Sequence, residues 1–175
     1  MIQVIFDTEF TDIGPGGDLL SIGFAPVENG PTLYIEIIDY EGEPSDWVKE
    51  NVMPLMGRHQ PKCLTREHAA VAIDRYFAEL RNGNDEAIRL LSDSCYDWQH
   101  LIELFVRVPG SQSWASEMNI TGTIINDQLP IQQQALFLSL SEAWFAEYAP
   151  TERHHALVDA RALRTAWRQL AWAHK

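Results

Sequence analysis

The apolar run Ile2, Val4, Ile5 and Phe6 ends in Asp7-Thr8-Glu9-Phe10, and residues 2 to 7 form an expected strand. Gly14-Pro15-Gly16-Gly17 marks a turn after it. Leu19, Leu20, Ile22 and Phe24 give a second strand that Pro26 ends. Leu33, Ile35 and Ile37 alternate with Tyr34, Glu36 and Ile38, a third strand joined to the second through the Asn29-Gly30 turn. The pattern then becomes helical. Ser45 is placed to cap a short helix through Trp47, Val48 and Val52 that stops at Pro54, with Asp46 in its electropositive first turn. Thr65 is placed to cap a longer one, where Ile73, Phe77 and Leu80 fall at i, i+4 and i+7 before the stop at Asn82-Gly83.

Ala87 to Leu91 is a short apolar run expected to be a buried fourth strand, followed by a helix through Trp98, Ile102 and Phe105 that Pro109 and Gly110 close. Residues 111 to 130 have the weakest periodicity, with a fifth strand expected at Thr121 to Ile125. Leu136, Leu140 and Trp144 predict one helix; Ala156, Ala160, Leu163, Trp167 and Leu170 predict another. Three strands followed by alternating helices and strands specify an α/β fold with a mixed five-stranded sheet, in the order of the ribonuclease H-like arrangement. No repeat, linker or low-complexity tract divides the chain, so residues 1–175 are expected to form one domain.

Side chains two apart on a strand share a face, so Asp7 and Glu9 project together from the end of the first strand. Two adjacent ionised carboxylates repel unless a cation lies between them or their pKa values rise. An oxygen-only donor set favours a hard ion such as Mg2+ or Mn2+ over zinc. Two distant stretches offer further acids. In Ser92-Asp93-Ser94-Cys95-Tyr96-Asp97, Asp93 fits a helix cap, while Asp97 follows an aromatic that can anchor it against the core. In Arg153-His154-His155-Ala156-Leu157-Val158-Asp159-Ala160, Asp159 belongs to the first turns of an amphipathic helix, and Ala156 and Ala160 leave room for close packing on the sheet.

Composition narrows the setting. Cys63 and Cys95 are isolated, which argues against zinc or a disulfide framework and leaves two reduced, mostly buried thiols as the expectation. No apolar run approaches the ~20 residues of a membrane span, and the N-terminus lacks a signal-peptide pattern, so no membrane association and a cytoplasmic location are expected. A net charge of −12 opposes bulk electrostatic coating of nucleic acid. The charge is uneven: residues 1–150 carry −15 and residues 151–175 carry +3, which places phosphate contacts toward the C-terminal end. There Arg161, Arg164 and Arg168 form a stripe that either meets phosphates or is a solvated face. Phe10 and Trp47 are either core residues or platforms on which bases stack.

The three acidic stretches, taken together, resemble the DEDDh family of 3'-5' exonucleases. Asp7-Thr8-Glu9-Phe10 with the later Leu20-Ser21-Ile22-Gly23 is similar to the family's first motif, Tyr96-Asp97 to its second, and His154 through Asp159, His-x4-Asp, to its third. Trp47-Val48 and Asn51-Val52-Met53-Pro54-Leu55 further resemble the small bacterial and phage exoribonucleases of the RNase AS type, which act on adenylated RNA as homodimers. Two departures bear on substrate preference: the overall acidity, and the lack of an asparagine often seen upstream of the second acid. The resemblance implies two divalent cations, Mg2+ with Mn2+ able to substitute, held by Asp7, Glu9, Asp97 and Asp159, with Asp7 shared between them. It implies His154 as general base, with His155 the competitor in a solvent or substrate-contact role. Substrate contacts are then expected at Thr8, Phe10, Trp47 and Arg161. The partner implied is single-stranded nucleic acid with a free 3' end, RNA favoured, and the implied assembly is a homodimer. A non-catalytic nucleic-acid or protein-binding module of the same fold, and a metal-dependent nucleotide phosphatase, are the rival functions.

Overall fold

The computed structural model describes residues 1–13, 16–108 and 119–172, with side chains through residue 170. Six strands, β1 (Ile2–Phe10), β2 (Leu19–Pro26), β3 (Leu33–Ile37), β4 (Lys62–Leu64), β5 (Ile88–Ser92) and β6 (Ile120–Ile124), form one mixed sheet in the order β4-β3-β2-β1-β5-β6. β1, β2 and β3 are the expected antiparallel meander. β4, β5 and β6 join in parallel to β3, β1 and β5. Among the described residues the sheet has six strands, where the sequence pattern predicts five. The additional one, β4, is three residues long and partly exposed at the sheet's edge, too short to show a period. β6 begins and ends one residue earlier than expected, because Ile125 turns inward to start a helix.

Among the described residues the helices are α1 (Asp46–Asn51), α2 (Arg66–Arg81), α3 (Cys95–Val106), α4 (Ile125–Gln128), α5 (Ile131–Tyr148) and α6 (Ala156–Trp172), with a 3-10 turn at Met53–Leu55. Ser45 caps α1 by accepting from the Val48 N–H at 3.4 Å, and Thr65 caps α2 through the His68 N–H at 3.4 Å. Asn82 (φ 46°) and Gly83 (φ 79°) take the left-handed conformation that ends α2. The Gly14-Pro15 half of the first turn and the Pro109-Gly110 stop lie outside the described residues.

Alternation along β1 assigns its side chains to two cores. Val4 and Phe6 join Phe24, Ile73, Phe77, Leu101 and Leu104 under α2 and α3. Ile5 joins Leu91, Phe137, Ala160, Leu163 and Ala166 under α5 and α6. Every residue of β2 is buried, as expected of a strand covered on both faces. Both thiols depart from the expectation of burial: Cys63 lies on the edge strand and Cys95 at the start of α3, and both are exposed. No helix among the described residues is long and apolar enough to cross a membrane.

Candidate active site

Asp7 and Glu9 continue the face of Ile5, the one that α6 covers. Asp7 pairs with Gly23 of β2, and there the helix comes down on the sheet. A Cβ on Gly23 would lie 2.4 Å from both Cα and N of Leu157, so only glycine admits the first turn of α6 at that distance. Ala156 and Ala160 are fully buried on the same side. This contact carries Asp159 over the end of β1. His154, five residues earlier, turns the chain in a left-handed conformation (φ 66°), and its backbone N–H donates to Asp159 Oδ2 at 3.2 Å.

The other face of β1 receives α3. The parallel register pairs Ile5 with Leu91, so the chain leaving β5 arrives beside Asp7 and Thr8. Ser94, not Asp93, caps α3, accepting from the Tyr96 N–H at 3.1 Å. Asp97 is 2% exposed and accepts at one oxygen, Oδ1, from the Thr8 N–H (3.0 Å) and the Thr8 hydroxyl (2.8 Å). Tyr96 does not anchor it in the core; that ring is 40% exposed and tilts against Phe10. Asp93, free of the capping role, faces Asp7 and Asp97.

Two groups of potential ligands result, Glu9 with His154 and Asp159, and Asp7 with Asp93 and Asp97; within each, one donor atom per residue lies within 4.8 Å of the others. Burial raises Asp7 well above its ordinary value, aided by the charges of Asp97, Asp159, Glu9 and Asp93. Glu9 is raised by burial and by Asp159 and Asp97. Burial and Asp93 push Asp97 up to about 7 against the opposing Thr8 hydrogen bonds. Burial likewise pushes Asp159 up to about 7, partly offset by the His154 N–H. Another buried acid shows what a satisfied carboxylate looks like here. Burial works to raise Asp18 also, but hydrogen bonds from Arg66 at 2.8 and 2.6 Å, with the charges of Arg66 and Arg107, hold it below its ordinary value.

No lysine or arginine among the described residues forms an ion pair with the site's acids. Asp97 Oδ2 and Asp159 Oδ1 are buried without any hydrogen-bond partner. Each aspartate thus spends one oxygen on the protein and leaves the other open, an expensive arrangement unless a cation takes it up. The donor set is oxygen-rich and fits hard divalent ions. Burial, with the Arg153 guanidinium, lowers His154, so its imidazole is neutral at neutral pH.

No protein-family model matches the sequence, and no curated protein sequence matches it significantly. Solved structures do. The nuclease domain of 3'hExo, a DEDDh family member solved bound to rAMP, is 13% identical over 98% of this chain and 92% of that one, with a TM-score of 0.64. A 3'-exonuclease solved in the 3'-end-specific recognition of a histone mRNA stem-loop is 13% identical, covering 98% of this chain and 82% of that one (TM-score 0.63). A full-length 3'-exonuclease is also 13% identical, over 99% and 82% of the two chains (TM-score 0.66). The chain has the ribonuclease H-like fold of the DEDDh exonuclease domains.

In this fold the residues singled out from the sequence fall into three places. Asp7, Glu9, Asp97, Asp159 and His154 line one cavity of about 310 Å³ together with Thr8, Phe10 and Trp47. Thr8 borders it, but its hydroxyl is committed to Asp97. Phe10 is stacked on buried His100 (centroids 4.5 Å apart, 23°), and Trp47, half exposed, sets its edge against the His154 ring at 4.8 Å and 80°. His155 is not in contact with solvent, contrary to expectation: it is 2% exposed, between Tyr34 (4.4 Å) and His59 (4.8 Å). Arg161 does not line the acidic cavity; it lines a second one and donates to Thr32 Oγ1 at 3.4 Å. Arg164 and Arg168 are half-buried rather than a solvated face. The close-packing role of Gly23, the cap at Ser94 and the stacking of His100 on Phe10 were not foreseen from the sequence, although Gly23 was quoted in the first motif. A glycine inside an otherwise apolar strand was the available signal for the first of them.

Proposed function

We propose that this chain is a metal-dependent 3'-5' exonuclease of the DEDDh type, removing nucleotides one at a time from the 3' end of single-stranded nucleic acid, RNA in preference to DNA. The observation that carries the reading is the pair of unpartnered buried oxygens, Asp97 Oδ2 and Asp159 Oδ1, set on either side of Asp7 and Glu9 with the His154 imidazole at the same cavity. Glu9 and Asp159 would hold one divalent ion and Asp97 a second, with Asp7 shared and Asp93 within reach of the second. Two bound ions supply charge stabilisation for the attacking and leaving oxygens of an in-line displacement.

The chain's residues account for the remaining steps. His154, neutral at neutral pH, takes a proton from the attacking water. The water oxygen bonds to phosphorus while the bond from phosphorus to the 3' oxygen of the preceding nucleotide breaks, releasing a nucleoside 5'-monophosphate and a strand with a new 3' hydroxyl. Phe10 and the exposed face of Trp47 offer stacking surfaces for the terminal base. RNA is favoured because two of the structures with this fold were solved with RNA or rAMP, and because of the RNase AS-like wording of residues 47–55. The same wording favours a homodimer, which sedimentation of the purified chain tests.

A time course with 5'-labelled single-stranded RNA and matched DNA, in Mg2+, Mn2+ and EDTA, tests the function. A metal-dependent ladder shortening from the 3' end is expected, faster on RNA and absent in Asp7→Ala. His154→Ala is expected to bind metal in calorimetry yet lose about 10²- to 10⁴-fold in rate. Strands left intact in every metal, or a product of unchanged length lacking only a terminal phosphate, would overturn the proposal.

A further inference from the structure

The second cavity, about 590 Å³, opens between α2 and the start of α6 at the β3 edge, where Leu33 and Tyr34 extend beyond the three residues paired with β4. Lys62, Arg75 and Arg161 line it, together with His59 and His68. The charges of Lys62, Arg75 and Arg161 are not neutralised by a neighbouring carboxylate, as several of the chain's other cations are. Lys49, Arg58, Arg66, Arg107 and Arg153 each pair with a carboxylate. Among the described residues, Lys62, Arg75 and Arg161 have no such pair, and the Arg161 guanidinium donates to Thr32 Oγ1 over a long 3.4 Å contact. Two acids are near: Glu79 lines the cavity, and Glu152 contacts His59 at 3.2 Å. Three unpaired cations around one cavity remain a local reversal of sign in a chain of net charge −12.

This cavity adjoins the acidic one. His154 lines the first and Leu157 the second, and the His155 ring between them in sequence packs on Tyr34, which lines the second. Three residues of chain span at most about 11 Å. Successive phosphates along a strand lie ~3.4 Å or more apart, so a strand reaching the acidic cavity with its 3' end passes the second within a few nucleotides.

We propose that Lys62, Arg75 and Arg161 bind phosphate groups, those of the substrate strand on the 5' side of the nucleotide being removed. The inference rests on the exonuclease reading and supplies what net charge alone denies the protein, a local grip on the backbone. Arginine and lysine at such a cavity contribute point-charge and forked hydrogen-bond recognition without reading sequence.

The test is fluorescence anisotropy of a 5'-labelled 12-mer and a 5'-labelled trinucleotide on the intact protein in EDTA, for wild type and Lys62→Gln/Arg75→Gln. Both side chains belong to exposed residues, so the double variant is expected to fold as wild type. Gln132→Glu/Ser139→Glu, on exposed positions of α5, changes net charge equally and serves as the control. The 12-mer is expected to bind Lys62→Gln/Arg75→Gln about tenfold more weakly, with the log-log salt slope reduced by about 1.4 for two lost phosphate contacts. The control should move its affinity less than about twofold, and the trinucleotide should not distinguish the variants. Equal weakening by the control would overturn the site in favour of bulk charge. A protein that shortens strands yet binds the 12-mer equally well in Lys62→Gln/Arg75→Gln overturns this proposal alone, whereas a wild type that neither binds nor shortens strands overturns the exonuclease reading with it. Loss of inhibition by adenosine 5'-monophosphate with strand binding intact would overturn the strand assignment and give the cavity to the released nucleotide.

Discussion

α3 and α6 each deliver an aspartate to the end of β1, and they are held there by different forces. Asp97 arrives on a helix with a serine cap and is fixed by two hydrogen bonds from Thr8 of the strand itself. Asp159 has one bond, a 3.2 Å contact from the His154 backbone, and its place depends on how closely α6 lies on Gly23. One side of the site is set by polar contacts and the other by packing. The packed side is the one that also carries the imidazole, so a small shift of α6 displaces both an acid and the proposed base.

Gly23→Val is therefore expected to have the largest effect. Its Cβ would meet the Leu157 backbone at 2.4 Å, which no side-chain rotation relieves. α6 must move, and a displacement of ~1 Å at reacting groups costs on the order of 10²-fold in rate. Overpacking of this kind also costs about 1–3 kcal/mol in stability. Strand-shortening rates and thermal melts check it; a rate within threefold of wild type would show that Asp159 is placed by something other than this contact.

The same difference explains what was legible in the sequence. Polar positions carry their own signal: the alternation of Asp7 and Glu9, the five-residue step from His154 to Asp159 and the acids after β5 can be seen without coordinates, because strand and helix periods are local. The packing side leaves a fainter mark: Ala156 and Ala160 show that the helix packs closely, but not where on the sheet it lands. Gly23 is one glycine in an apolar strand until Leu157 lies on it. His155 looks as exposed as His154, yet the left-handed turn at His154 sends the two rings to opposite environments. Arg161 was expected to contact substrate from its charge, but no pattern in the sequence told that its place on α6 puts it at the second cavity with Leu157 rather than among the acids. β4 was missed because an edge strand of three residues is defined by its partner, not by its own pattern.

Thr8→Val sharpens the polar half of the comparison with a smaller effect. It removes the 2.8 Å hydroxyl bond to Asp97 and keeps the backbone N–H bond at 3.0 Å. Loss of a group that orients a metal ligand typically costs about 10- to 100-fold in metal affinity or activity. Calorimetric titration with Mn2+ should show one of two sites weakened, the Asp97 side, with the Glu9 and Asp159 side spared. Equal weakening of both would mean that the two halves are coupled more tightly than their separate supports suggest.

The smallest expected effect is on the stability of the metal-free protein, and its sign follows from the direction of the shifts. Asp97 and Asp159 are raised in the folded state to about 7 from an ordinary value of 3.8, and Asp7 and Glu9 are raised as well. The folded protein then holds more protons than the unfolded chain between these limits, so stability falls as pH rises from about 4 through about 7. Asp18 acts in the opposite sense: its value is lowered by Arg66, and the stability it contributes is lost as pH falls through its folded value, below 3.8. Melting temperature in EDTA should accordingly pass through a maximum near pH 4 to 5 and decline toward pH 8. Added Mn2+ should flatten the decline, since a cation between the carboxylates stabilises their ionised forms. Thr8→Val should extend the decline to higher pH through Asp97 alone, because the Thr8 hydroxyl is one of the hydrogen bonds that restrain the Asp97 pKa, while Asp159 keeps its own. A melting curve indifferent to both pH and Mn2+ between pH 5 and 8 would mean that the acids on the two helices do not share the buried, uncompensated charge on which the comparison depends.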